Sequence, residues 1–252
     1  MIVLIIFSSS IFFAQEIPEL KTDRPDKTES ASTVPSGSLQ IETGFEHLRE
    51  TYDDGADLSS LNAVGALFRY GILNDIELRF AGAFLSQEIR TITSNLSSDG
   101  MADFMIGAKY EFINDDETFP DFALMTHLFL PVGAETHRPG KVEPQVVLSL
   151  SKPFTELFSL GSNFGAHYNS TSENIFYFFT FAGGFGLTDE LGAFVEIFSE
   201  IFSDTDPFYS LNAGFTYLVL TNLQMDISGG NGLFNNSKVW YLGTGITVRI
   251  PR

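Results

Sequence analysis

Asp23, Arg24, Asp26 and Glu29 stand close together within the charged run from Lys21 to Glu29 near the start of the chain. Carrying both signs, they suit charge-assisted hydrogen bonds to partners of either charge elsewhere in the fold. A second set, Glu42, Arg69, Glu77, Arg79, Asp103, Lys109, Glu111, Glu196, Asp226 and Arg249, alternates with apolar neighbours. Turnover chemistry has weaker support. His167 and Ser170 lie three apart in His167-Tyr168-Asn169-Ser170, but a nucleophile needs its base within hydrogen-bond reach and a third group to orient that base, and no such group is identifiable. His47, His127, His137 and His167 are scattered without metal-ligand spacing, and Asp53-Asp54-x-x-Asp57 and Asp204-x-Asp206 lack the ligand series of a calcium loop. Gly183-Gly184 and Gly229-Gly230-Asn231-Gly232 precede no helix whose N-terminus could hold a phosphate. The residues therefore predict no catalytic set, no metal site and no cofactor.

The elements that must position these charges are strands. From Met101 to Phe112 the side chains change character at every step: Ala102, Phe104, Ile106, Ala108, Tyr110 and Phe112 form one face, and Asp103, Met105, Gly107, Lys109 and Glu111 the other. A period of two sends the two sets to opposite sides of a sheet. The pattern recurs about a dozen times. Leu39, Ile41 and Phe45 oppose Gln40, Glu42 and Glu46, and Val64, Ala66, Phe68 and Tyr70 oppose Gly65, Leu67 and Arg69. Near the end, Trp240, Leu242, Ile246, Val248 and Ile250 oppose Gly243, Gly245, Thr247 and Arg249. The reading is about twelve strands of roughly 9 to 13 residues, the anatomy of a transmembrane antiparallel up-and-down barrel with a lipid-facing skin and a polar lumen. Short links are expected around Asn74, Asp115, Phe154, Asp189 and Asn222. Long loops are expected between the other strand pairs, one of them Ser/Thr/Asn-rich from Ser86 to Gly100. Aromatic residues such as Tyr70, Tyr110, Tyr217 and Trp240 fall near strand ends, where an interfacial girdle would sit.

Composition bounds the alternatives. The 252 residues suffice for one large all-β domain. Cysteine is absent, which removes disulfides, thiolate metal sites and a cysteine nucleophile. A net charge of −18 repels phosphates and argues against nucleic acid as a partner. No apolar run is long enough for a spanning helix. Ile2 to Phe13 is apolar apart from three serines and is followed by Ala14, so residues 1–14 read as a signal peptide. Residues 15–37, with Pro18, Pro25 and Pro35 around a charged run, read as an extended segment and a candidate lumen plug, and 38–252 as the barrel. Arg69, Glu77, Arg79, Lys109, Glu111 and Arg249 all lie near a short turn or the C-terminus, the periplasmic end, and Glu42 begins the first strand there too, where the segment would enter and pair with them.

Several segments resemble a Gram-negative outer-membrane family called "putative MetA-pathway of phenol degradation". They are Thr22-Asp23-Arg24-Pro25-Asp26 with Thr28-Glu29-Ser30, Val34-Pro35-x-Gly37 leading to Gln40-x-Glu42-x-Gly44, Arg69-Tyr70-Gly71 with Glu77-Leu78-Arg79, Gly107-Ala108-Lys109-Tyr110, Leu130-Pro131-Val132-Gly133 and Asn163-x-Gly165. The resemblance spans nearly the full mature chain. It implies an outer-membrane channel or transporter for small molecules, hydrophobic or aromatic ones among them, with membrane lipid as the other partner. A structural barrel with a blocked lumen that binds a partner, and a lipid-modifying barrel enzyme, are the competing expectations. Oligomeric state and solute are left open.

Overall fold

The computed structural model describes residues 18–52, 58–114, 118–203, 205–233 and 237–250. The expected signal peptide, the acidic tips at Asp53, Asp54, Asp57 and Asp204, the turn at Asp115, and the side chain of Asp103 lie outside the description. Twelve strands follow one another: β1 (Leu39–Tyr52), β2 (Leu58–Leu73), β3 (Ile76–Arg90), β4 (Asn95–Ile113), β5 (Asp121–Phe129), β6 (Glu143–Thr155), β7 (Phe158–Asn169), β8 (Asn174–Gly186), β9 (Leu191–Ile201), β10 (Phe208–Leu220), β11 (Leu223–Leu233) and β12 (Ser237–Ile250). Each pairs antiparallel with the next, and β1 closes on β12 from Leu39↔Ile250 to Tyr52↔Ser237. Closure leaves no sheet edge unpaired, as a barrel in lipid requires.

The barrel is inside out relative to a water-soluble domain. Phe68, Phe80, Ile106, Phe181, Phe215 and Leu242 are exposed on the outer wall, while Arg69, Glu77, Arg79, Lys109 and Glu196 are buried inside. Connections at the end bearing the described start of the chain are 74–75, 114–120, 156–157, 187–190 and 221–222. This turn end is periplasmic in barrels of this kind, and the opposite loop end faces outward.

Two expectations need correction. Ser86 to Gly100 is not a long loop: β3 and β4 continue as a paired hairpin through Ser86↔Asp99 and Arg90↔Asn95, and only 91–94 connects them. Past the membrane both faces of a ribbon meet water, so the alternation that reveals a strand disappears while its hydrogen bonds persist. The outward face of β4 is also interrupted. Ala83 pairs with Ala102 and Ala81 with Met105, a bulge that inserts an extra residue into β4. Ala102 is consequently buried, whereas Phe104, whose ring would lie 3.5 Å from a Cβ on Gly82, and the stretch from Met105 onward keep the expected parity. The 130–142 connection folds back at this bulge, with the Leu130 and Ala134 amides donating to the Phe104 and Met101 carbonyls at 2.8 Å each. Gly133, at φ 113°, passes against the Met101 carbonyl where a side chain would not fit.

Candidate functional site

Strand parity and register gather charge on one patch of the inner wall near the turn end. Gln40 and Arg69 are cross-strand partners, as are Arg69 and Arg79, and Glu77 and Lys109. Two arginines directly opposite repel, so the arrangement depends on carboxylates between them. Glu77 accepts from Arg69 Nε at 2.9 Å and from Arg79 Nη1 at 2.8 Å, and Glu42 accepts from Arg69 Nη1 at 2.9 Å. Arg69, Arg79 and Lys109 then face only Glu42 and Glu77 from the wall.

The N-terminal segment supplies the missing anion. The Asp23 carboxylate accepts from Arg79 Nη1 at 2.7 Å, lies 3.3 Å from Arg69 Nη1, and accepts from Lys109 Nζ at 3.2 Å. It also accepts from the Ser30 amide and hydroxyl at 2.9 Å each, which pinches the segment into a loop. Burial alone would push this carboxyl up; Arg69, Lys109 and Arg79 outweigh it and hold Asp23 well below the ordinary carboxylate range. Its own amide donates to both oxygens of Glu42, at 3.2 and 3.0 Å.

Arg24 lies across a glycine floor. Gly44 and Gly245 are register partners on β1 and β12, and a Cβ on Gly44 would come within 2.5 Å of the guanidinium carbon of Arg24. The absence of side chains there lets Arg24 reach Asp226 in a two-point contact, Nη2 to Oδ1 at 2.9 Å and Nε to Oδ2 at 3.2 Å.

From there the segment sweeps around the lumen. The Lys27 amide donates to Glu196 at 3.1 Å, and the Thr28 hydroxyl sits 2.6 Å from Glu196 and 2.7 Å from Thr180. The Glu29 amide donates to Asn163 Oδ1 at 2.7 Å, its carbonyl accepts from Asn163 Nδ2 at 2.9 Å and Ser149 Oγ at 2.6 Å, and its carboxylate takes Arg79 Nη2 at 2.6 Å. The chain descends through the Thr33 amide to Glu111 at 3.0 Å and the Val34 amide to Glu77 at 2.8 Å, and leaves by Gly37 to the Gly71 carbonyl at 2.7 Å. Arg249 holds the entry, donating to the Glu19 carbonyl at 3.1 Å and to that of Pro18. Asp26 is half-buried and makes no contact with an arginine among the described residues. Burial first, then the charge of Glu196, pushes its carboxyl well above the ordinary range.

The wall thus meets much of the segment through its backbone, which sequence reasoning did not anticipate. Asn163, Ser149 and Thr180 are the residues missed. Their inward parity was legible, but a neutral side chain that binds peptide groups carries no charge signal.

Space remains on both sides of the segment. A cavity of about 1200 Å³ opens toward the loop end, with Lys27, Glu46, Glu200 and Tyr241 in its lining. A second of about 580 Å³ opens at the turn end, between Thr22, Arg24 and Asp26 of the segment and Ser159, Phe194 and Gln224 of the wall.

His167 and Ser170 both bind Glu143, a partner that sequence did not reveal, the imidazole directly and Ser170 through its amide at 2.6 Å, but no hydrogen bond joins the Ser170 hydroxyl to the imidazole among the described contacts. The imidazole is engaged by Glu143 at 3.1 Å and Gln145 at 3.2 Å, and the Ser170 hydroxyl receives the amides of Gly140 and Lys141 at 3.1 and 3.3 Å. Among the described residues no group of three His, Asp or Glu is placed to hold a metal ion.

A family model described as "Putative MetA-pathway of phenol degradation" matches residues 22–250. No curated protein matches the chain. Among solved structures, the COG4313 outer membrane channel from Pseudomonas putida F1 is similar at a TM-score of 0.64 and 12% identity, over 87% of this chain and 98% of that one. The translocator domain of the autotransporter NalP from Neisseria meningitidis is similar at 0.59 and 7%, over 84% and 88%. A KdgM porin in complex with disordered oligogalacturonate follows at 0.51 and 10%, over 82% and 98%. At such identities the likeness establishes a shared outer-membrane barrel fold.

Proposed function

The chain belongs to the "Putative MetA-pathway of phenol degradation" family, and on that premise we propose that it is an outer-membrane channel for small molecules, gated by its own N-terminal segment. Residues 1–14 direct export, residues 15–37 form the gate, and the barrel from 38 onward is the conduit. The observation that carries this reading is the seating of 18–37 across the lumen, between a cavity on each side, by ion pairs to Arg69, Arg79, Lys109 and Asp226. Removing the segment would join the two spaces. The family's association with phenol degradation supports small aromatic molecules as candidate solutes, and the similar channel and porin folds support passage over turnover. A barrel built only to anchor a partner would have no need of a lumen segment that could be withdrawn.

Conductance in planar bilayers tests the reading. Deleting Glu19 to Ser32, with the signal peptide kept, is expected to raise single-channel conductance well above that of the full chain. Should the deletion damage folding, Asp23→Asn and Arg24→Gln together loosen the same segment and are expected to raise the open fraction. Equal conductance in all three proteins, with the segment protease-resistant in the full chain, would sink the gate and favour a permanently blocked barrel.

A further inference from the structure

The loop-end cavity has a chemistry of its own. Glu46 and Glu50 from β1, Glu200 from β9 and Asp206 from the following loop place carboxylates around it, and among its described lining residues Lys27 is the one cation. Phe198, Phe208 and Tyr241 give the same space aromatic walls. Clefts lined by one sign of charge and apolar walls concentrate counter-ions of the opposite sign.

Lys27 shows how this site holds a cation. Its ammonium stands 5.6 Å over the Tyr241 ring and 3.6 Å from the Glu46 carboxylate. A ring face on one side and a carboxylate on another is the environment that binds ammonium groups generally. The hold is loose, because the Lys27 side chain remains 45% exposed and makes no closer contact with a carboxylate. Tyr241 is only 9% exposed, so the ring that Lys27 overlies is fixed in the cavity wall. Because no three ligating side chains converge among the described residues, the site does not fit a metal ion.

We infer that this cavity binds a primary organic ammonium carried on an aromatic or apolar body, which takes the place of the Lys27 ammonium between Tyr241 and Glu46. The inference names the solute class of the proposed channel and rests on that reading only for what happens after binding. An anionic aromatic acid is disfavoured by the four carboxylates. A neutral phenol or alcohol gains the aromatic walls without the charge.

Three probes of matched ring and chain length separate these cases: phenethylamine, 2-phenylethanol and phenylacetate, titrated calorimetrically into the full-length protein in detergent. Phenethylamine is expected to bind severalfold more tightly than the alcohol, and phenylacetate more weakly than either, since a half-exposed cation–π contact and a carboxylate contact both favour the ammonium. Lys27→Met, which removes the resident cation, should tighten phenethylamine severalfold. Glu46→Gln with Glu200→Gln should reduce it to the level of the alcohol. The two variants act on different elements, so misfolding of one leaves the other decisive. Equal binding of the three probes, or no effect of either variant on phenethylamine, overturns the proposal. Passage is measured apart from binding. A barrel that binds phenethylamine selectively but conducts nothing refutes the channel and keeps the site, whereas one that conducts without discriminating among the probes does the reverse.

Discussion

The two halves of the lumen are built from the same twelve strands and the same inward parity, yet they treat charge in opposite ways. At the turn end, Arg69, Arg79, Lys109, Glu42, Glu77 and Asp23 are almost fully buried and interlocked at 2.7 to 3.3 Å. At the loop end, Lys27 is loosely held by Glu46 beside open space that Glu200 and Asp206 also line. Buried ion pairs contribute little net stability once desolvation is counted, but they penalise any arrangement that leaves one partner alone. The turn end therefore fixes one position of the segment. The loop end leaves Lys27 half-exposed and its carboxylate and ring within reach of an incoming solute.

Removing Asp23 disturbs the turn end most. Asp23→Ala leaves Arg69, Arg79 and Lys109 facing too few carboxylates, and losing one partner of a buried pair costs about 3 to 5 kcal/mol. Proteolysis within 18–37 of the folded protein should become rapid, and the thermal transition of the barrel should fall. Survival of protease resistance would mean that the backbone contacts to Asn163 and Glu196, not the ion pairs, hold the segment.

Both halves presuppose that the lipid and lumen faces are assigned correctly. Ile106 is exposed on the outer wall, and an arginine on the lipid face costs roughly 2 to 4 kcal/mol near mid-membrane. Ile106→Arg should impair folding into lipid vesicles by that order. The contrasting lumen substitution must be chosen with care. Gly107 points inward, but a Cβ there would meet the Thr126 carbonyl and the His127 ring at 2.5 Å, whereas the nearest atom to a Cβ on Gly65 is Ala83 Cβ at 3.9 Å. Gly65→Ser is thus the tolerated change. Equal folding yields for Ile106→Arg and Gly65→Ser would show that the faces are inverted.

Acidity sharpens the contrast within the segment itself. Asp23 is held below the ordinary carboxylate range, so its contribution to docking is present above about pH 4 and is lost only as pH falls through its depressed value. Asp26 is raised, so the docked state binds its proton more tightly than the free segment does; that contribution is complete below the ordinary range and is lost as pH rises through the raised value. Docking, read as protease resistance of 18–37, should weaken as pH is raised above the ordinary carboxylate range and should not weaken as pH is lowered toward about 5. Asp26→Asn should flatten the dependence. A dependence that persists in Asp26→Asn would assign it to another group.

Much of this was legible without coordinates, and the failures share a cause. The number of strands and the inward position of Glu42, Arg69, Glu77, Arg79, Lys109, Glu196, Asp226 and Arg249 follow from a period of two, because lipid on one side and a polar lumen on the other force alternation. Where one of those environments is missing, the signal is missing too. The hairpin from Ser86 to Gly100 stands where both faces meet water, and the β4 bulge shifts parity without altering composition. Glu50 and Glu200 lie at the outer ends of β1 and β9, where the alternation gives way to polar loop composition. The path of the segment was open to hypothesis from its charges. Its attachment through amides and carbonyls was not, since every residue but proline offers the same groups.

The smallest expected effect concerns selectivity, and it separates the two halves most directly. In protein lacking 19–32, the lumen is filled with water, and a unit charge about 4 Å from the path is worth roughly 1 kcal/mol to a passing ion, a factor of about five. Glu200→Gln removes such a charge from the loop end, where Glu200 has no bonded cation among the described contacts, and should lower the preference for potassium over chloride by about that factor. The reversal potential across a potassium chloride gradient reads it. Ionic strength provides the control, because the screening length falls from about 10 Å at 0.1 M to about 3 Å at 1 M, and the difference between the two proteins should shrink accordingly. Glu77→Gln is the counterpart at the turn end. Its carboxylate is shared between Arg69 and Arg79 at 2.9 and 2.8 Å, so its removal exposes a pair of repelling guanidinium groups. That change should shift selectivity toward anions and destabilise the barrel as well. If Glu77→Gln and Glu200→Gln changed the reversal potential alike without any difference in stability, the lumen would be one uniform acidic tube, and the division into a locking half and a receiving half would fail.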